Sequence, residues 1–141
     1  MRDFMSYSNP KQAFPSIAAI TDNTAMVSTI VDTAGYEGLT LILNTGTLTD
    51  ADATFALTME HGNAANLSDS TVPVQADIVG TGALANFTFA DDNKCFKIGY
   101  VGTKRYVRAT VTPSANTGNF FMSGIWMLNG SRFAPTSNPP N

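Results

Sequence analysis

The chain has 141 residues, of which 43% are hydrophobic and 13% charged, with a formal net charge of −3. That length suits one domain with a real core, and the hydrophobic share excludes disorder throughout. The negative balance argues against direct nucleic-acid binding: Lys104, Arg105 and Arg108 are the only local basic cluster, and three charges on one hairpin read as a solvated face or ion pairs.

Residues 1–16 follow neither a helical nor a strand pattern. Phe4, Tyr7 and Phe14 lie among Pro10 and Pro15, which oppose regular structure nearby. We read this stretch as an extended arm that carries its aromatics to a partner. From Ile17 the pattern is strand after strand. Residues 25–32 hold Met26, Val27, Ile30 and Val31; a turn through Gly35 leads to Leu39, Leu41 and Leu43. Phe55, Leu57 and Met59 alternate with Thr54, Ala56, Thr58 and Glu60, which is period two, one face in and one out.

The stretch from Gly62 to Leu84 is loop-like, with Thr71–Val74 and Ala76–Val79 as candidate edge segments; Pro73 suits only an edge. Phe87 and Phe89 suggest a short strand, and Asp91-Asp92-Asn93 a turn. Ile98 and Tyr100, then Val107, Ala109 and Val111, predict two strands joined as a hairpin through Val101–Lys104, the second ending at Pro113. Tyr106, Arg108 and Thr110 are its outward positions. The last strand, Asn119–Asn129, is apolar on both faces: Phe120, Met122, Trp126 and Leu128 on one, Phe121, Ile125 and Met127 on the other. Such a strand is central to a sandwich or lies under a partner.

These elements predict an all-β, single-domain antiparallel β-sandwich of jelly-roll type. Its expected parts are an extended N-terminal arm over 1–16, the sandwich over 17–129 and an extended C-terminal tail over 130–141.

Catalytic patterns are thin. His61 has no neighbouring Cys or Glu pattern, so it makes neither a zinc site nor a triad. Asp50 and Asp52 lack the glycine and distal glutamate of a calcium loop and read as a turn. Gly80-Thr81-Gly82 has no lysine after it to make a phosphate cradle. No cofactor, metal or catalytic residue is therefore expected. Trp126, Tyr100, Tyr106 and Phe121 are candidates for stacking sugars, although strand aromatics are usually core. The single cysteine, Cys95, excludes an intrachain disulfide and is expected to be a buried thiol. Met1, Arg2 and Asp3 open no apolar stretch of a signal peptide, and no run reaches the ~18 residues of a membrane span, so a cytosolic origin without membrane contact is expected.

Several of these residues resemble a family of small tailed-bacteriophage head proteins. The features are Asp91-Asp92-Asn93, Ile98-Gly99-Tyr100, Gly102, Lys104-Arg105-Tyr106-Val107-Arg108, the loop from Pro113 to Gly118 and the closing Arg132-Phe133-Ala134-Pro135. The resemblance implies a capsid cement, or decoration, protein: made in the bacterial host cytoplasm, placed on the outer capsid surface of the virion and bound to the major capsid protein. The residues expected to meet the capsid or another copy are Arg2, Phe4, Tyr7, Phe14, Tyr106, Arg108, Phe133 and Pro135. A homo-oligomer is expected, a dimer before a trimer, because an unpaired strand edge invites a symmetric partner. The alternatives are a head–tail connector or tail protein, a virion-surface carbohydrate-binding module, and a hydrolase using His61 or Asp50 and Asp52.

Overall fold

A computed structural model describes residues 3–15, 19–81 and 85–137. Arg2 and the prolines at 139 and 140 lie outside the described residues. The strands are β1 (Ser8–Phe14), β2 (Met26–Val27), β3 (Val31–Asp32), β4 (Gly38–Leu48), β5 (Thr54–Gly62), β6 (Ile78–Val79), β7 (Phe87–Thr88), β8 (Cys95–Tyr100), β9 (Tyr106–Ser114) and β10 (Phe120–Asn129). One helical turn, α1 (Phe4–Tyr7), precedes them.

Two antiparallel sheets form the sandwich, β1-β10-β4-β8-β6 and β2-β9-β5-β7, with β3 also paired to β9. The pairs β1–β10, β2–β9, β4–β8 and β5–β7 alternate between the sheets, as though one long hairpin ribbon were wound around the core. That winding is the jelly roll expected from the spacing of strands and turns.

The core is where the inward parities meet. Trp126, Leu41, Phe55 and Val111 are fully buried, and Phe55 stacks on Phe87 with ring centroids 4.7 Å apart. Burial of this kind, at ~25 cal/mol per Å² of apolar surface, is the main stabilising term. One side of the sandwich is also laced by hydrogen bonds. The strand expected over 25–32 breaks at Ser28, whose Oγ accepts from the Ala109 N–H at 2.9 Å and so stands in for a ladder partner. Thr29 then donates its N–H to the Ala13 carbonyl at 3.0 Å, and its own carbonyl accepts from Trp126 Nε1 at 3.1 Å. The break thus ties the edge of one sheet to the edge of the other.

Three expectations are corrected. The first concerns the arm. β1 is an edge strand of the sandwich, in register from Ser8↔Asn129 to Phe14↔Gly124, and Phe14 is 1% exposed. Pro10 is tolerated because the outer edge asks for no N–H. Phe14 is therefore core and not a docking residue.

The second is the hairpin. β8 pairs with β4 and β6, whereas β9 pairs with β5, β2 and β3, so residues 101–105 cross from one sheet to the other. Ile98 and Tyr100 face Val107 and Ala109 across the core instead of lying beside them. Gly102 permits the crossing: a Cβ there would meet Tyr100 Oη at 2.5 Å.

The third is Cys95, which is exposed. The inward parity of β8 belongs to Phe96, Ile98 and Tyr100, which leaves positions 95 and 97 outside. In addition, β9 continues through Pro113 to Ser114, since β2 stops opposite Val111 and nothing asks Pro113 for a hydrogen bond on that side.

Candidate functional site

Register places the start of β1 and β4, the ends of β8 and β10 and the start of β9 at one pole of the sandwich. There the two terminal segments are fastened to each other. Asp3 caps α1, its Oδ1 accepting the Met5 N–H at 2.9 Å and its Oδ2 the Ser6 hydroxyl. Hydrogen bonding from Ser6 holds the Asp3 carboxyl below its ordinary range. Gly130, at φ +65°, turns the chain back after β10; a Cβ there would meet Glu37 Cβ at 2.9 Å.

The returning segment then crosses α1. Ser131 donates its N–H to the Tyr7 carbonyl at 3.2 Å and Thr136 to the Ser6 carbonyl at 2.9 Å, while the Thr136 hydroxyl reaches the Ser8 carbonyl at 2.7 Å. Residues 130–137 are thus folded back onto the domain. Between the two segments runs an open groove of about 990 Å³, lined by Asp3, Phe4, Tyr7, Glu37 and Pro135 among others. Phe4 is 64% and Phe133 83% exposed. Four expected docking residues, Phe4, Tyr7, Phe133 and Pro135, therefore share one pole.

Tyr106 and Arg108 lie elsewhere, on the outer face of the second sheet, and both are half-buried. Arg108 forms an ion pair with Glu60 at 2.6 Å. Burial pushes the Glu60 carboxyl up, but hydrogen bonds from Ser70 and Arg108 outweigh it and hold it below its usual value. Arg105 makes two hydrogen bonds to Asp32, at 2.8 and 2.7 Å, and sits 5.1 Å from the centre of the Tyr106 ring. That pair lowers Asp32 and raises Arg105. Of the basic cluster, Arg105 and Arg108 are thus ion-paired, while Lys104 lies in the 101–105 crossing.

The other candidates are placed as follows. His61 is buried, its Nδ1 2.9 Å from Tyr100 Oη, which also accepts the Lys104 N–H at 3.1 Å. Burial pushes the Tyr100 phenol up. This trio braces the 101–105 crossing. Asp50 accepts the N–H and hydroxyl of Thr117 at 2.6 and 2.8 Å, which pins the 115–118 loop and lowers its carboxyl. Trp126 and Tyr100 are inside the core, so two of the four aromatics proposed for sugar stacking are unavailable to a ligand. Among the described residues no group of three His, Cys, Asp or Glu could hold a metal ion.

A second surface was only half legible in the sequence. The outer face of the first sheet gathers Phe121, Ile125 and Met127 from β10 with Ile42 of β4 and Pro10 of β1. In cross-strand register its rows read Gln12–Ile125–Ile42–Lys97 and Pro10–Met127–Thr40–Gly99. The two-sided apolar pattern of β10 signalled its own share. Pro10 and Gln12 could not be assigned to it without knowing that β1 joins the sheet.

No protein-family profile matches this chain, and no curated protein does. Solved structures with a similar backbone include the CBM22-1–GH10 modules of a Clostridium thermocellum endo-1,4-β-D-xylanase complexed with xylohexaose. Identity there is 8% and the TM-score 0.45, over 96% of this chain and 28% of that one. A family two carbohydrate esterase from Cellvibrio japonicus matches at 13% identity and TM-score 0.41, over 96% of this chain and 37% of that one. A capsid structure of Ralstonia phage GP4 matches at 11% identity and TM-score 0.43, over 92% of this chain and 86% of that one. The chain thus spans well under two thirds of the first two. Fold-level likeness does not carry function.

Proposed function

We propose that this protein is a non-catalytic capsid cement protein of a tailed bacteriophage, docked on the outside of the major capsid protein lattice through the pole where its terminal segments meet. The observation that carries this reading is the set of exposed aromatics at that pole: Phe4, Tyr7 and Phe133 stand on backbone already fixed by hydrogen bonds between residues 5–8 and 131–136. Large side chains on an ordered frame lose little freedom on binding, which is what makes an anchor effective. The head-protein resemblance of Asp91–Asp92–Asn93, Lys104–Arg108 and Arg132–Pro135 supports the same partner. Repetition over a lattice would add avidity to modest individual contacts.

The first test is copy number in purified virions against the major capsid protein. A ratio near one to one is expected. A ratio of a few per cent would instead assign the protein to a head–tail connector or to the tail. The second is co-sedimentation of Phe4→Ala and Phe133→Ala variants with capsids lacking the protein. Binding should fall at least tenfold while thermal stability is kept, and unchanged binding would remove the pole from the reading.

A further inference from the structure

The outer face of the first sheet has no role in that docking, and its chemistry points to a different occupant. We infer that this face stacks on the same face of a second copy, giving a twofold dimer whose axis runs along the strands between β10 and β4.

Three observations lead there. The first is charge. Lys97 is the one charged side chain among the outward positions of β10, β4 and β8, whereas the apolar Phe121 and Ile125 are 40% and 38% exposed. Lys11 of β1 borders the face at its edge, so its middle is free of charge and cheap to desolvate. The second is extent. Four strands spaced ~4.8 Å apart and about nine residues long at ~3.3 Å each cover about 600 Å² of plane, before side-chain relief is counted. A standard interface buries ~800 Å² per partner, so the planar face falls somewhat short of that figure and approaches it only with the relief of its side chains.

The third is self-complementarity. The row Gln12–Ile125–Ile42–Lys97 is polar, apolar, apolar, polar from one side to the other. A twofold along the strands reverses that row in the partner. Ile125 then lies over the partner copy's isoleucine of β4, and the Lys97 ammonium meets a glutamine carbonyl, not a second lysine. Phe121 stands beside Gly46, their Cβ positions 3.0 Å apart, so the same operation sets each ring over bare backbone of the other copy.

The outermost strands are poorer candidates: β2, β6 and β7 are two residues each and β1 carries Pro10, devices that work against edge pairing.

The test is sedimentation velocity or light scattering on the full chain at micromolar concentration, independent of any capsid. The wild type is expected at about twice the 15.0 kDa chain mass. Ile125→Asp should be monomeric, and Thr58→Asp on the opposite face should remain dimeric. A monomeric wild type, or a dimeric Ile125→Asp, would overturn the inference. Should Ile125→Asp fail to fold, two exposed edge-strand variants decide instead. Gln12→Glu should tighten the dimer several-fold at low salt by pairing with Lys97 across the axis, and Gln12→Lys should loosen it by a similar factor. Equal dissociation constants for the two would overturn the twofold arrangement.

Discussion

The two outer faces of the sandwich are built on the same alternation and yet are chemically different. The second sheet turns Thr54, Thr58, Thr110 and Thr112 outward, together with the Arg108–Glu60 and Arg105–Asp32 pairs. Threonine keeps the β-branched shape that strands favour while remaining hydrated. The first sheet turns Phe121, Ile125, Met127 and Ile42 outward, with one lysine. Both faces satisfy the core equally well, so folding does not explain the difference. What a strand shows to the outside is free of the core's demands, and that is where a partner leaves its mark.

The contrast is tested hardest from beneath. Phe14 supports the first sheet at the β1–β10 edge and is fully buried, so Phe14→Ala should cost about 3–5 kcal/mol in denaturant unfolding. Phe4→Ala, on the exposed pole, should change stability by less than ~0.5 kcal/mol. Equal effects would mean that β1 is not part of the sandwich.

Acid should reach the second face and the loops before the first face. Asp32, Asp69 and Asp91 lie below their ordinary value of 3.8, chiefly through hydrogen bonds from Arg105, from the Asn63 N–H and from Lys94 respectively. Glu60 likewise lies below 4.5. As pH falls, the unfolded chain takes up these protons before the folded chain does. The stability they contribute is therefore complete above those ordinary values and is lost as pH drops below them through the lowered folded ones. A thermal melting series from pH 7 to pH 2.5 should be flat at first and fall below about pH 4. A decline that begins near pH 6 would remove these carboxylates as its cause.

The smallest effects separate two ion pairs on one face. Arg108→Ala removes the cation from the half-buried Glu60 carboxylate, which keeps only its hydrogen bond from Ser70, and should cost about 1 kcal/mol. Arg105 and Asp32 are both well exposed, so Arg105→Ala should fall within ~0.5 kcal/mol of wild type. Chemical denaturation resolves the two, and a larger loss at Arg105 would reverse their ranking.

How far the sequence could be read depended on which physical signal each segment carried. Period-two alternation located β4, β5, β8, β9 and β10 and sorted their inward residues, because core burial acts on every second side chain. It could not say which strand lies beside which. Ile98 and Val107 satisfy the same pattern whether they are neighbours in one sheet or opposed across two, and residues 101–105 are long enough for either. β1 was hidden because its burial does not alternate and because Pro10 reads as a breaker until the strand is known to be an edge. At the candidate site, Phe4, Tyr7, Phe133 and Pro135 stood out as aromatics and prolines in unpatterned segments. Their shared location follows from main-chain hydrogen bonds such as Thr136 to Ser6, which leave no trace in residue type. Phe14 looked the same as Phe4 in the sequence, but Phe14 closes β1 facing the core whereas Phe4 lies in α1, ahead of the strand, and is exposed.

Strand β1 pairs with the last strand of the ribbon, Ser8 against Asn129. On the ribosome it must therefore wait for β10. At ~5–20 residues per second that is roughly 6–23 s of synthesis during which β1 has no partner. The wound ribbon closes through contacts remote along the chain, which makes for slow folding after release as well. Pro10 acquires a second meaning in that interval. A residue that cannot donate a backbone hydrogen bond, set in the strand that waits longest, makes premature pairing between nascent chains harder until the proper neighbour arrives.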